Sequence, residues 1–336
     1  MATYNADLSR KGPGLLARDI AGGQDAQVAA VVAVLAATAP DILLITELDW
    51  DAQSTALMAL QQALAAAGQR YDHTFAFQPN TGIPTGFDLD GDGNALGPRD
   101  AQGYGRFSGH RGMAILSKRP IDREGARDMS ALLWRDLPQG RLADARLPEG
   151  AEAVLRLSTT GHWDVPVTLG DGQVLHLLAW SGAPPAFPPL STSIARNHDE
   201  TAFWLRYLDG DLPWPAPETP FVILGDANSD IADGGGDPVA MAALLSDPRL
   251  TDPLPTSPGG LMAALPDKNG DPALDTADWA ANRNVKDNLR VDYVLPSADL
   301  RVTAAGVFWP LPDDPMARIA ATASPHRLVW VDITLP

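Results

Sequence analysis

Several acidic, amide and imidazole side chains of this chain stand where apolar runs end. Glu47 closes the run Asp41-Ile-Leu-Leu-Ile-Thr-Glu47, and Phe221-Val-Ile-Leu-Gly-Asp226-Ala-Asn228 delivers a carboxylate and an amide through a glycine. Asp292 lies inside Arg290-Val-Asp-Tyr-Val-Leu, and His326 just precedes Leu328-Val-Trp. An acid beside a buried strand costs several kcal/mol unless a metal or a partner compensates it. One such acid is usually a cap or a turn former. Four placements in one chain point to a shared polar site.

A second constellation is Asp88-Leu-Asp90-Gly-Asp92-Gly93, with carboxylates at every second residue and a closing glycine. It resembles the opening of an EF-hand calcium loop. The bidentate Glu expected downstream is missing, since position 99 is Arg and position 100 is Asp. A structural Ca²⁺ held by Asp88, Asp90 and Asp92 is one expectation, and a solvated acidic turn is the other.

The elements that must position these groups are short. Apolar runs at 42–46, 113–117, 165–169, 174–179, 221–224, 291–295, 306–309 and 328–335 read as strands, and strand-like sequence begins at Ala2-Thr-Tyr. Helical patterns cover 25–38, 52–67, 199–208 and 238–245. The first of these is Ala/Val-rich and stops at Pro40, which cannot continue a helix. Pro238 suits a first helical turn. Strands outnumber helices, which favours two packed sheets with helices outside. The stretch 78–112 is rich in Gly, Asp and Pro and reads as a long functional or mobile loop.

Composition narrows the chemistry. The chain has 336 residues, is 45% hydrophobic and has no cysteine, which fits a globular protein without a disulfide framework. No apolar run reaches the ~18 residues of a membrane span. Lys and Arg number 25 against 42 Asp and Glu, a net charge of -17. Nucleic-acid binding rests on cations that neutralise phosphates, and no Lys/Arg cluster is present. Small phosphate esters or lipid head groups are therefore favoured over DNA or RNA.

Taken in order, Asn5, Glu47, Gly225-Asp-Ala-Asn228, Asp292 in Asp-Tyr-Val-Leu and Ser324-Pro-His326 resemble the endonuclease/exonuclease/phosphatase superfamily. Further matching text is Asn80-Thr-Gly-Ile-Pro-Thr-Gly-Phe-Asp88, His162-Trp-Asp-Val-Pro166 and Arg196-Asn-His-Asp-Glu200. The likeness runs through almost the whole chain and looks closest to a bacterial, usually exported branch. It implies a DNase I-like four-layer α/β sandwich, two mixed β-sheets flanked by helices, in a single domain over 1–336 with a loop insertion around 78–112. It also implies a periplasmic or secreted protein. The strand-like start at Met1 does not itself read as a signal peptide, so a trimmed leader and a cytoplasmic location are both open expectations.

The resemblance further implies a metal-dependent phosphoesterase. Asn5 and Glu47 are expected to hold Mg²⁺ or Mn²⁺. Asp226 is expected to position or deprotonate the attacking water, and Asn228 to orient it. His326 is expected to donate to the phosphoryl oxygens, with Asp292 holding its ring. His162, Asp164, Arg196 and His198 are the expected substrate-binding groups, Arg196 and His198 because they stand near a predicted helix start. No protein partner is evident. Two departures matter: Pro325 replaces the family's metal-binding Asp, and Ser181 stands where the family usually has a histidine. They leave a reduced enzyme and a binding-only descendant as competing readings, with a nuclease as a third. Ser181 lacks a Gly-x-Ser-x-Gly setting, so it does not read as a serine-hydrolase nucleophile.

Overall fold

Strand β2 (Ile42–Leu48) shows what sorts the layers. Leu43 and Ile45 join one core, while Ile42 and Leu44 join another, as the two-residue side-chain period of a strand dictates. A sheet with both faces apolar must be covered on both.

The computed structural model describes residues 1–218, 220–279 and 288–334. Its first sheet has six strands. They run in the order Arg301–Val307 (β12), Val329–Thr334 (β13), Ala2–Asn5 (β1), β2, Gly112–Ser117 (β4) and His73–Phe75 (β3). The second has five: Asp292–Pro296 (β11), Phe221–Asp226 (β8), Val174–Ser181 (β7), Gly161–Thr168 (β6) and Arg127–Asp128 (β5). Ala277–Asp278 (β9) and Asn288–Leu289 (β10) form a small ribbon. Both large sheets are mixed, with β1 parallel to β2 and β7 parallel to β8.

Between the sheets lie Ile42, Leu44, Met113 and Ile115 from one side and Val165, Leu177, Val222, Leu224 and Val294 from the other. Helices Leu15–Gly22 (α1), Ala26–Thr38 (α2), Thr55–Ala66 (α3) and Pro315–Ala323 (α7) cover the outer face of the first sheet. Leu190–Leu208 (α4) and Val239–Leu245 (α5) cover the second. The short Pro258–Met262 (α6) abuts Trp309. The layer order is helix, sheet, sheet, helix. No single helix among the described residues is long and apolar enough to cross a membrane.

Local chemistry accounts for the helix ends. The Asp25 side chain accepts from Val28 N at 2.9 Å and starts α2, an N-cap of the common kind. The expected helix at 199–208 in fact begins at Leu190. Its first turns, Leu-Ser-Thr-Ser, carry residues that favour caps over helix interiors, which hid them. The run expected at 306–309 is the buried tail of a longer edge strand, β12, whose earlier residues are largely exposed. Leu335, the last residue of the expected strand 328–335, lies outside the described residues.

A candidate active site between the sheets

Strand alternation carries the site residues inward. On β7, Leu177 and Ala179 face the inter-sheet core, so Ser181 does too. On β8, Val222 and Leu224 put Asp226 on that face, and on β11 Val294 does the same for Asp292. Asp226 is in register with both Ser181 and Asp292. Gly225 permits this close approach, since a Cβ there would stand 1.9 Å from Trp180 O.

Glu47 needs a different device. By simple alternation it would follow Leu43 and Ile45 toward the helices. A register shift between Thr46 and Leu48, with Glu47 at φ 58, turns it into the cleft instead. Bulges of this kind re-aim side chains at functional sites.

Asn5, Glu47, Asp226, Asn228 and His326 thus line one cleft of about 830 Å³, with Asp292 directly behind His326. Asn5 Nδ2 donates to Asp226 Oδ2 at 2.8 Å and lies 3.3 Å from His326 Nε2. His326 Nδ1 meets Asp292 Oδ2 at 2.9 Å, and Thr276 Oγ1 donates to the same oxygen at 2.9 Å. Asn228 is held at φ 49, its N–H donating to Asp226 Oδ1 and its Nδ2 to Gly182 O. The Ser324 hydroxyl donates to Asn5 O and accepts from His326 N, tying the histidine loop to β1. The Trp279 ring stands edge-on to His326.

The electrostatics follow from crowding acids in a dry place. Burial raises Glu47 to about 7, against the pull of Arg111. Burial, then the neighbouring Asp292, raises Asp226 to about 7. For His326 burial acts downward, but Asp292 and Asp226 outweigh it and hold the ring's pKa up at about 9. Perturbed groups gathered in a cleft mark functional sites.

The donor set fits a hard divalent cation. Glu47 Oε2 and Asp292 Oδ1 are buried without a hydrogen-bond partner. Arg111 Nε approaches Glu47 Oε2 at 3.2 Å but is itself without a hydrogen bond. The carboxylates of Asp226 and Asp292 come within 4.8 Å of each other and of His326, whose raised pKa makes its ring a donor rather than a ligand. Oxygen-rich sites of few carboxylates suit Mg²⁺.

These protonation states predict how stability responds to pH in the metal-free protein. Carboxyls raised in the fold favour the folded state when protonated, so stability drops as pH rises through about 7. The His326 contribution, present below its ordinary value, is lost as pH rises through about 9. His110 and His162, both pushed to about 4 by burial, act in the opposite sense only below about 6.5. The buried Met1 amino group also pulls the other way. Calorimetry in chelator should therefore show Tm falling from pH 6.5 to 9, with a shallower fall in His326→Gln. A Tm that climbs over this window would refute the assignment.

Other expected site residues lie elsewhere. His162 is 0% exposed, with Nδ1 on Ser158 Oγ and Nε2 on Glu200 O, and packs on Phe203 and Trp204. It is a core histidine and cannot meet a substrate. Asp164 is equally buried, bonded to His176 and Tyr207. Arg196 does reach the cleft wall, but its Nε and Nη2 donate to carbonyls of Leu157, Gln102, Arg156 and Ser158. His198 is buried beside Asp199 and is absent from the cleft lining. Both stand well inside α4 rather than at its start, so the helix-terminus argument for anion binding fails. Glu200 accepts from Thr159 and Ala183, a structural tie. In the acidic loop the oxygens that gather belong to Asp88, Asp90 and Asp100, not Asp92, whose carboxylate accepts from Asn94 N. Asp88 takes the N–H groups of Gly91, Asp92 and Gly93, as a self-satisfied turn does.

The cleft also holds Asp7, Arg111 and Trp279, which are not among the residues expected from sequence. Asp7 follows Asn5 by two residues, and its N–H donates to Asn5 Oδ1. For Arg111 and Trp279 no local pattern announces the placement.

A model of the endonuclease/exonuclease/phosphatase family matches residues 2–326. The chain belongs to that family, and its fold is the DNase I-like α/β sandwich. A solved family member from Beutenbergia cavernae DSM 12333 superposes with a TM-score of 0.58 at 19% identity, covering 99% of this chain and 70% of that one. One from Leptotrichia buccalis C-1013-b gives 0.53 at 14%, covering 99% and 98%. Sphingomyelinase C from Streptomyces griseocarneus gives 0.50 at 18%, covering 98% and 96%. Among curated proteins, none matches this sequence. The family is in general one of hydrolytic phosphoesterases and nucleases, typically using divalent metal ions.

Proposed function

We propose that this protein hydrolyses a small or lipid-linked phosphate ester with the aid of Mg²⁺ or Mn²⁺. The observation that carries the reading is the convergence of Asn5, Glu47, Asp226, Asn228, Asp292 and His326 at one cleft from elements far apart in sequence.

Asn5 and Glu47 would hold the ion, which supplies Lewis-acid neutralisation of phosphoryl charge. Asp226, basic once ionised and fixed at both oxygens, orients a water and takes its proton. Asn228, anchored through Nδ2, keeps that carboxylate and water in line. His326, kept protonated by the acids around it, donates to the phosphoryl oxygens. Asp292 fixes the ring through Nδ1. Catalysis of this type is mainly positioning and charge stabilisation.

The cleft walls support a substrate that is not a long polyanion. The run Ala183-Pro-Pro-Ala-Phe-Pro-Pro189 lines the cleft, as do Leu89, Leu147 and Leu155. Arg99, Arg111 and Arg196 are the arginines among the lining residues, and the acids Asp7 and Asp90 line the same cleft. A nucleic-acid groove needs a row of free cations.

A second reading, a binding protein on this scaffold, draws on Ser181 and Pro325, since both departures lie in the cleft itself. Phosphomonoester and diester substrates, assayed with Mg²⁺, Mn²⁺, Ca²⁺ or chelator, separate the two. Turnover that chelator abolishes supports the enzyme, and ligand binding without turnover under any metal supports the binding protein. Calorimetric titration provides an independent check. Glu47→Gln should weaken Mg²⁺ binding by at least about 10-fold, since even partners one shell further out act on that scale, and an unchanged titration would place the ion elsewhere.

A further inference from the structure

Arg111 occupies an unusual position for an arginine. It stands at φ 58, in the left-handed region that side-chain-bearing residues seldom adopt. Its N–H donates to Asp49 Oδ1, which helps hold that conformation one residue before β4. Its guanidinium lies over the Tyr104 ring and lines the cleft. The side chain is 40% exposed, so the group is open to the cleft rather than sealed.

Its contact with Glu47 is poor for an arginine and a carboxylate. Nη1 to Oε1 is 3.4 Å and Nε to Oε2 is 3.2 Å, and the second pair is out of line for a hydrogen bond. A well-made fork has two parallel bonds of roughly 2.7–2.9 Å. Each partner is left with capacity for something else, Glu47 for a cation and Arg111 for an anion.

Of the other cleft arginines, Arg196 is tied to four carbonyls, while Arg99 lies over the Phe187 ring. Among the three, Arg111 is the one paired with Glu47. Ser181, in register with Asp226, brings only a hydroxyl to that side of the site.

We infer that Arg111 is a phosphate-binding residue: when a divalent ion neutralises Glu47, the guanidinium leaves that carboxylate and forks onto the phosphoryl oxygens. This rests on the phosphoesterase reading above. Arg111 thereby places a fixed cation on the phosphate where the chain has Ser181 in place of an imidazole. The planar five-donor group can engage two phosphate oxygens at once, which an ammonium does only as a point charge.

The test uses the full chain, with inorganic phosphate as probe. Calorimetry measures phosphate binding at saturating Mg²⁺ and, separately, Mg²⁺ binding without phosphate, for wild type, Arg111→Gln and Arg111→Lys. Removing a charged hydrogen-bond pair of this kind is expected to weaken phosphate binding by about 10–100-fold in Arg111→Gln. Arg111→Lys should recover part of that loss. Mg²⁺ affinity should hold or tighten in Arg111→Gln, because a competing cation beside Glu47 is gone. A purely structural role would instead lower Tm and weaken both ligands together, and that result overturns the proposal. Equal phosphate affinity in wild type and Arg111→Gln, with Mg²⁺ binding intact, also overturns it and leaves the phosphoesterase reading standing. A wild type that binds neither Mg²⁺ nor phosphate overturns both.

Discussion

Asp226→Asn is expected to lower turnover of a phosphate ester by about 10³-fold, within the range that general-base contributions span. The variant keeps the shape that the site needs. Asn5 Nδ2 and Asn228 N both point at the carboxylate of Asp226, and an amide oxygen can accept one of those bonds. What it loses is the negative charge and the capacity to take a proton. The fold should tolerate the loss, because the carboxylate is buried beside Asp292 and its ionisation is disfavoured there. Tm in chelator should therefore stay level or rise, most visibly above pH 7. The same physics sets the acid limb of the wild-type activity profile. With Asp226 raised to about 7, activity should climb as pH passes through that region, and bound cation should move the limb to lower pH. Steady-state kinetics with parallel melting curves checks both. Turnover within tenfold of wild type would remove Asp226 from the role of base.

Which features were legible in the sequence depends on how local their causes are. Strands buried on both faces, such as β2 and β8, read as continuous apolar runs and were found near their true bounds. Helix α2, with its Asp25 cap and the Pro40 stop, was legible for the same reason. The edge strand β3 and the exposed part of β12 were not, because they bury too little to impose a pattern, whereas the fully buried edge strand β11 was. The cluster of Asn5, Glu47, Asp226, Asn228, Asp292 and His326 was legible because each stands at the end or start of such a run. The misplaced residues fail differently. His162 and Asp164 lie on the helix side of β6, where Phe203, Trp204 and Tyr207 bury them. Facing direction along a strand changes with every residue, so a motif can mark the right strand and the wrong face. Arg196 and His198 look like a helix start in the sequence because the preceding turns of α4 are weak helix formers. Arg111 depends on a left-handed backbone residue and on a partner 64 positions away, neither of which leaves a local trace.

Ser181→His combined with Pro325→Asp is expected to raise turnover by on the order of 10²-fold, the scale on which single phosphate-stabilising donors act. The geometry admits both changes. Ser181 faces the inter-sheet side, lines the cleft and stands in register with Asp226, so an imidazole there is carried to the reacting centre. Pro325 sits between Ser324, which bonds Asn5 O, and His326, while its own carbonyl accepts from Asp278 N. Aspartate adopts the proline φ without strain, so the loop should hold. The new carboxylate joins Glu47, Asp226 and Asp292 in a buried site. Like charges there disfavour one another's ionisation, so Tm without metal should fall as pH rises more steeply than in wild type. Added Mg²⁺ should restore it, because the cation offsets the extra charge. That stability signature reports whether the aspartate reached the ion independently of any rate. A tighter Mg²⁺ titration with no gain in turnover would mean that the two departures do not limit the chemistry. The phosphoryl charge must then already be met by groups this chain retains, with Arg111 adding to His326 and the bound ion.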